Sequence, residues 1–166
     1  MRLGIVGMLP GVRELEASHL ESVAALSLTG VSLNAQRELL FDLKSQELSR
    51  VRALIADAGL ELVQFGINYP ECLFDPDESV CRHVTETIHR GIEVGRELEA
   101  HMSLIRPGSL SPTGSYSPSP DNLRLECRDR ILETLNSVAT KAEREEAKWG
   151  KIFVFWGDER WVPLED

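Results

Sequence analysis

The sequence predicts an α/β fold of five parallel strands joined by βα units. Two observations carry this expectation. Short runs of β-branched and aromatic residues recur along the chain, and the stretches between them place apolar residues at helical spacing. Strands separated by helix-length segments pair in parallel, through right-handed crossovers.

The elements follow in order. Leu3-Gly4-Ile5-Val6-Gly7 is the first strand. Ser18-His19-Leu20-Glu21 sets a serine three residues ahead of a glutamate, the pattern of a capping box, and opens a helix that ends before Gly30. Val31-Ser32-Leu33-Asn34 is the second strand. The helix after it shows Leu48, Val51, Ile55 and Ala58 on one face and ends at Gly59. Leu62 to Asn68 is the third strand. Asp75-Pro76-Asp77-Glu78 starts the next helix, its acids suited to the positive end of the helix dipole, and Val80, Val84, Ile88 and Ile92 form its apolar stripe. His101 to Arg106 is the fourth strand, followed by a loop rich in Ser, Pro and Gly from Pro107 to Pro120. A charged helix from Asp121 to about Lys148 carries Ile131, Leu135, Val138 and Ala142. Ile152-Phe153-Val154-Phe155-Trp156 reads as a fifth, buried strand.

Two architectures compete for these elements. A flavodoxin-like, doubly wound open sheet has helices on both faces, so its central strands are apolar on both sides. A (βα) barrel has helices on one face only. Here Ser32 and Asn34 alternate with Val31 and Leu33, while Gln64, Gly66 and Asn68 alternate with Val63, Phe65 and Ile67. Alternation of this kind suits barrel strands. A complete barrel takes eight strands and roughly 250 residues, so 166 residues predict a partial, TIM-barrel-like arrangement in a single domain. Strand order decides between the two: 1-2-3-4-5 for a barrel fragment, 2-1-3-4-5 for the open sheet.

Composition narrows the function classes. A net charge of −9, with no cluster of lysine or arginine, argues against nucleic-acid binding and against anionic membranes. No run of eighteen apolar residues marks a transmembrane helix. Cys72, Cys81 and Cys127 are odd in number and unevenly spaced, which fits reduced thiols and a cytoplasmic setting. The open sheet edges of a partial barrel predict a homodimer that covers them.

The chemistry-bearing residues gather at strand ends. Glu71 follows the third strand, and Asp158 and Glu159 follow the fifth. In a barrel these share one rim with Asn34, Asn68 and Arg106, which are the candidate substrate-binding residues together with Asp158. Glu71 and Glu159 are candidate ligands for a divalent cation, Mg²⁺ or Mn²⁺. No other cofactor is expected. His83 and His89 stand six apart, off the i, i+4 spacing of a zinc pair, and read as solvated helix residues. Gly4, Gly7 and Gly11 match neither a dinucleotide nor a phosphate loop.

The stretches "LGIVGMLPG", "ALIADAGLELVQFGINYP" and "IRPGSLSPTGSYSPSPDNL" give residues 1 to about 145 a resemblance to sugar-phosphate isomerases and epimerases of the xylose isomerase-like TIM-barrel type. The resemblance implies a sugar or sugar phosphate as substrate. It also implies metal ligands and acid/base groups on strands of the second half-barrel, which this chain would lack. The tail "WGKIFVFWGDERWVPLED" resembles 6-phosphogluconolactonases, in which a strand ending in Asp-Glu-Arg borders the substrate pocket. That second resemblance implies a substrate-side place for Asp158, with Glu159 and Arg160 as the candidate catalytic residues. Together the two predict a chimera, natural or engineered, with its seam between Arg144 and Trp149 and without efficient catalysis. The alternative expectation is a metal-assisted sugar isomerase or epimerase, and after it a sugar lactone hydrolase.

Overall fold

The computed structural model describes residues 3–144. Four strands, β1 (Gly4–Ile5), β2 (Gly30–Gln36), β3 (Glu61–Asn68) and β4 (Ser103–Leu104), form one parallel sheet in the order β1-β2-β3-β4. Sequential order is that of a barrel segment and excludes the flavodoxin-like alternative, in which β1 would lie inside the sheet. The expected fifth strand and the seam at 144–149 fall outside the described residues.

Five helices join and follow the strands: α1 (Ala17–Ala24), α2 (Arg37–Asp42), α3 (Ser45–Asp57), α4 (Glu78–Glu97) and α5 (Leu125–Arg144). They pack in succession, α1 on α3, α3 on α4 and α4 on α5. Beneath them Val31, Leu33 and Ala35 of β2 and Leu62, Phe65 and Ile67 of β3 share one buried cluster with Leu48, Val51 and Ile55 of α3 and Val84, Ile88 and Ile92 of α4. The closest approach is at Gly91 of α4, where a Cβ would stand 2.5 Å from the Ile67 side chain. Glycine there lets the helix backbone rest directly on the strand.

Several boundaries differ from the expectation, each for a physical reason. The first helix is not capped by Ser18. It starts at Ala17, because Glu16 is extended and its N–H is taken by Nδ1 of His19 at 3.1 Å. The single helix expected after β2 is two, since Leu43 and Lys44 adopt extended backbone between α2 and α3. Gly59, at φ +68°, does end α3, its N–H and that of Leu60 reaching the carbonyls of Ala56 and Ile55. Asp77 caps α4 as the acidic stretch foretold, accepting from the Ser79 N–H at 2.8 Å. The last helix is preceded by a separate 3-10 turn, Pro120–Leu123.

Val63 departs from strict alternation. Pairing of β2 with β3 matches Val31 to Leu62 and Ser32 to Gln64, so Val63 is bulged out of register. Its side chain packs where a Cβ on Gly30 would be, 3.0 Å away, and not against the helices. Leu62 takes its place in the core.

Candidate functional site

The sheet face away from the helices is polar. Its register sets Ser32 beside Gln64, Asn34 beside Gly66 and Gln36 beside Asn68. Nε2 of Gln64 donates to Oγ of Ser32 at 3.4 Å, and Nδ2 of Asn68 donates to Oδ1 of Asn34 at 3.1 Å. Gly66 makes the row continuous, because a Cβ there would stand only 3.2 Å from that of Asn34. Asn34 and Gln36 are exposed, and Asn68 is half-buried.

Arg106 lies at the carboxyl rim. Leu104 pairs with Gly66, and Arg106 follows two residues beyond the end of β4. Nη2 of Arg106 donates to the Tyr69 carbonyl at 2.9 Å, and the guanidinium lies 4.6 Å from the centre of the Tyr116 ring. Nε of Arg106 is buried without a partner, and no carboxylate pairs with the group among the described residues.

Tyr116 is carried by a tightly gathered loop. Oγ of Ser109 donates to the Ser117 carbonyl at 2.6 Å and accepts from the Ser111 N–H and from Nδ2 of Asn122. Composition alone made residues 107–120 a plain loop; one hydroxyl draws it together.

Glu71 has a different environment from the one expected of a metal ligand. Its carboxylate forms an ion pair with Nη1 of Arg37, the first residue of α2, whose Nε donates to Oγ1 of Thr87 at 2.7 Å. Both side chains are largely sheltered, 14% and 19% exposed, and Arg37 Nη2 and Glu71 Oε2 are buried without a partner. Burial raises the Glu71 carboxyl and the Arg37 hydrogen bond lowers it, with the net below the ordinary carboxylate value. Among the described residues no group of three or more His, Cys, Asp or Glu is arranged to hold a metal ion. Glu159, the second expected ligand, lies outside the described residues.

The structure thus brings Asn34 and Asn68 together, sets Arg106 beside them and ties Glu71 to Arg37. Asp158, Glu159 and Arg160 lie outside the described residues. Local sequence pattern does not single out Tyr69 or Thr87, and it marks Arg37 only weakly. The one signal for Arg37 is its position immediately after the last residue of β2, on the same rim. The three cysteines are free, and burial pushes the Cys72 thiol up to about 12 and raises those of Cys81 and Cys127, so they stay protonated thiols at neutral pH.

A family model described as xylose isomerase-like TIM barrel matches residues 20–150. The chain belongs to that family. Solved structures agree on the fold of this xylose isomerase-like chain. D-psicose 3-epimerase from Clostridium cellulolyticum, crystallised with D-tagatose, superposes with a TM-score of 0.67 at 16% identity, covering 90% of this chain and 51% of that one. The 3-keto-D-glucoside 4-epimerase of E. coli gives 0.62 at 16% identity over 93% and 54%. A Thermus thermophilus protein soaked with ZnCl2 gives 0.65 at 19% over 89% and 53%. The chain spans about half the length of these structures. No curated protein matches it in sequence.

None of these matches supports a lactonase-like origin for residues 149–166 or a chimera. The family match also crosses the expected seam and runs to residue 150. No helix among the described residues is long and apolar enough to cross a membrane.

Proposed function

We propose that the polar row of β2, β3 and Arg106 is the sugar-binding wall of an isomerase- or epimerase-type barrel. The observation that carries this reading is the Asn34–Asn68 hydrogen bond at the carboxyl rim, on the face opposite the helices. It leaves Nδ2 of Asn34 and Oδ1 of Asn68 without partners among the described residues. One donor and one acceptor side by side suit the vicinal hydroxyls of a monosaccharide. A parallel barrel presents its ligands at this carboxyl end. The fold shared with two sugar epimerases supports the same reading.

Isomerisation or epimerisation next to a carbonyl needs one group to remove a proton and another to return it. Glu71 is a poor base while Arg37 holds it. The described residues are thus assigned binding and orientation of the sugar, and proton transfer is not assigned to them. Titration of the full chain with D-fructose, followed by calorimetry, tests the wall. Binding should weaken by about tenfold or more in both Asn34→Leu and Asn68→Leu, as the loss of a hydrogen bond to a sugar hydroxyl implies. Unchanged binding in both variants would remove the wall from the site.

A further inference from the structure

We infer that Arg106 selects an acidic sugar, one bearing a carboxylate, over a neutral one. The inference rests on the sugar-wall reading above and names the substrate class. Arg106 stands at the carboxyl rim, two residues past β4, and is tied to Tyr69, the residue that follows Asn68. Its guanidinium is held from two sides, by the Tyr69 carbonyl at 2.9 Å and by the Tyr116 ring at 4.6 Å. Neither contact neutralises it. Nε is sealed from solvent, so a ligand can meet the group only through its Nη nitrogens. With no carboxylate beside it among the described residues, the charge favours an anionic ligand over a neutral one.

Charge and shape choose the anion. The planar guanidinium fork matches a carboxylate with two parallel hydrogen bonds. Among the described residues the other arginine on the rim, Arg37, is already paired with Glu71, so Arg106 offers one positive charge there. A carboxylate carries one negative charge, whereas a phosphate monoester approaches two at neutral pH. A neutral sugar leaves the charge unmatched.

Calorimetric titration of the full chain with D-glucose, D-glucuronate and D-glucose 6-phosphate tests this. D-glucuronate is expected to bind about tenfold tighter than D-glucose, and tighter than the phosphate ester. Arg106→Gln should abolish that preference while D-glucose still binds. Arg106→Lys keeps the charge and loses the fork, so it should lose most of the preference and retain the fold. Asn34→Leu should weaken D-glucose and D-glucuronate alike and leave their ratio unchanged. Equal affinity for D-glucose and D-glucuronate, or a preference that survives Arg106→Gln, would overturn the inference and leave the sugar wall standing. Tighter binding of D-glucose 6-phosphate than of D-glucuronate would overturn the choice of carboxylate. Binding of none of the three would sink both readings.

Discussion

The Tyr69 hydroxyl meets the backbone of Arg106 twice, donating to its carbonyl oxygen at 2.6 Å and accepting from its N–H at 3.0 Å. A side chain just beyond β3 thereby takes over the pairing that β3 and β4 give up after Gly66 and Leu104. This is why β4 counts two residues where the sequence suggests six. The phenol is buried, and burial raises its pKa above the ordinary tyrosine value, so it remains a hydroxyl able to do both.

Tyr69→Phe keeps the ring in the core and removes only the bridge. It should cost about 1–3 kcal/mol, since both backbone groups of Arg106 lose this partner. Urea denaturation measures the cost, and amide hydrogen exchange at Arg106 localises it. Exchange at Arg106 that stays as slow as in the parent would mean the bridge does not hold the rim.

Gly91 and Gly95 lie one turn apart on α4 and answer differently to the same substitution. At Gly91 a new methyl meets three Ile67 carbons between 2.5 and 2.9 Å, while at Gly95 its nearest neighbours are the Ser103 hydroxyl at 3.0 Å and two Phe65 carbons at 3.5 and 3.7 Å. Alanine gains up to about 1 kcal/mol of helix propensity at either site. Overpacking of about 1–3 kcal/mol opposes it at Gly91. Thermal melts should show Gly91→Ala destabilised and Gly95→Ala close to the parent. The reverse ranking would contradict the packing of α4 on β3.

Glu71 ties stability to acid. Its carboxyl lies below the ordinary value when folded, so the contribution is present above the unfolded pKa of about 4.3 and fades as pH falls through the lower folded value. Stability of the parent measured from pH 6 to pH 3 should therefore drop more than that of Glu71→Gln, which has no proton to take up there. Parallel curves would mean that the Arg37 pair is not formed.

How much of this rim can be read from the chain depends on the range of the interaction. Asn34, Asn68 and Arg106 stand out because polar residues at alternating positions near strand ends mark the uncovered face, which needs only local pattern. The strand register that joins Asn34 to Asn68 follows from sequential βα units. The Tyr69 bridge to Arg106 does not, because it links a side chain to backbone 37 residues away. Arg37 is hidden for a similar reason: locally it is the start of a helix, and its partners Glu71 and Thr87 come from two other segments. Ser18 misleads in the opposite direction. It fits a capping pattern, but the neighbouring His19 supplies the acceptor one step earlier.

His89 also carries a pH signature. The sequence suggests a solvated helix residue, yet it is half-buried with Nε2 lacking a partner, and burial lowers its pKa below 6.5. A base whose folded pKa is depressed contributes stability that is full above the unfolded value and declines as pH falls below it. Between pH 7 and 5 the parent should lose stability that His89→Leu keeps, as read by urea midpoints at each pH. An identical decline in both would place the titrating group elsewhere.

The bulge at Val63 acts as a phase lock. Before it, the even-numbered Leu62 faces the helices; after it, the odd-numbered Phe65 and Ile67 do so. A slip of β3 by one residue would swing Gln64 and Asn68 under α4, into a layer already closed by Gly91 against Ile67. The strand therefore has one setting in which its core is dry, and in that setting Asn68 faces the open side. Placement of the polar row is decided by the irregularity in β3, several residues before the rim is reached.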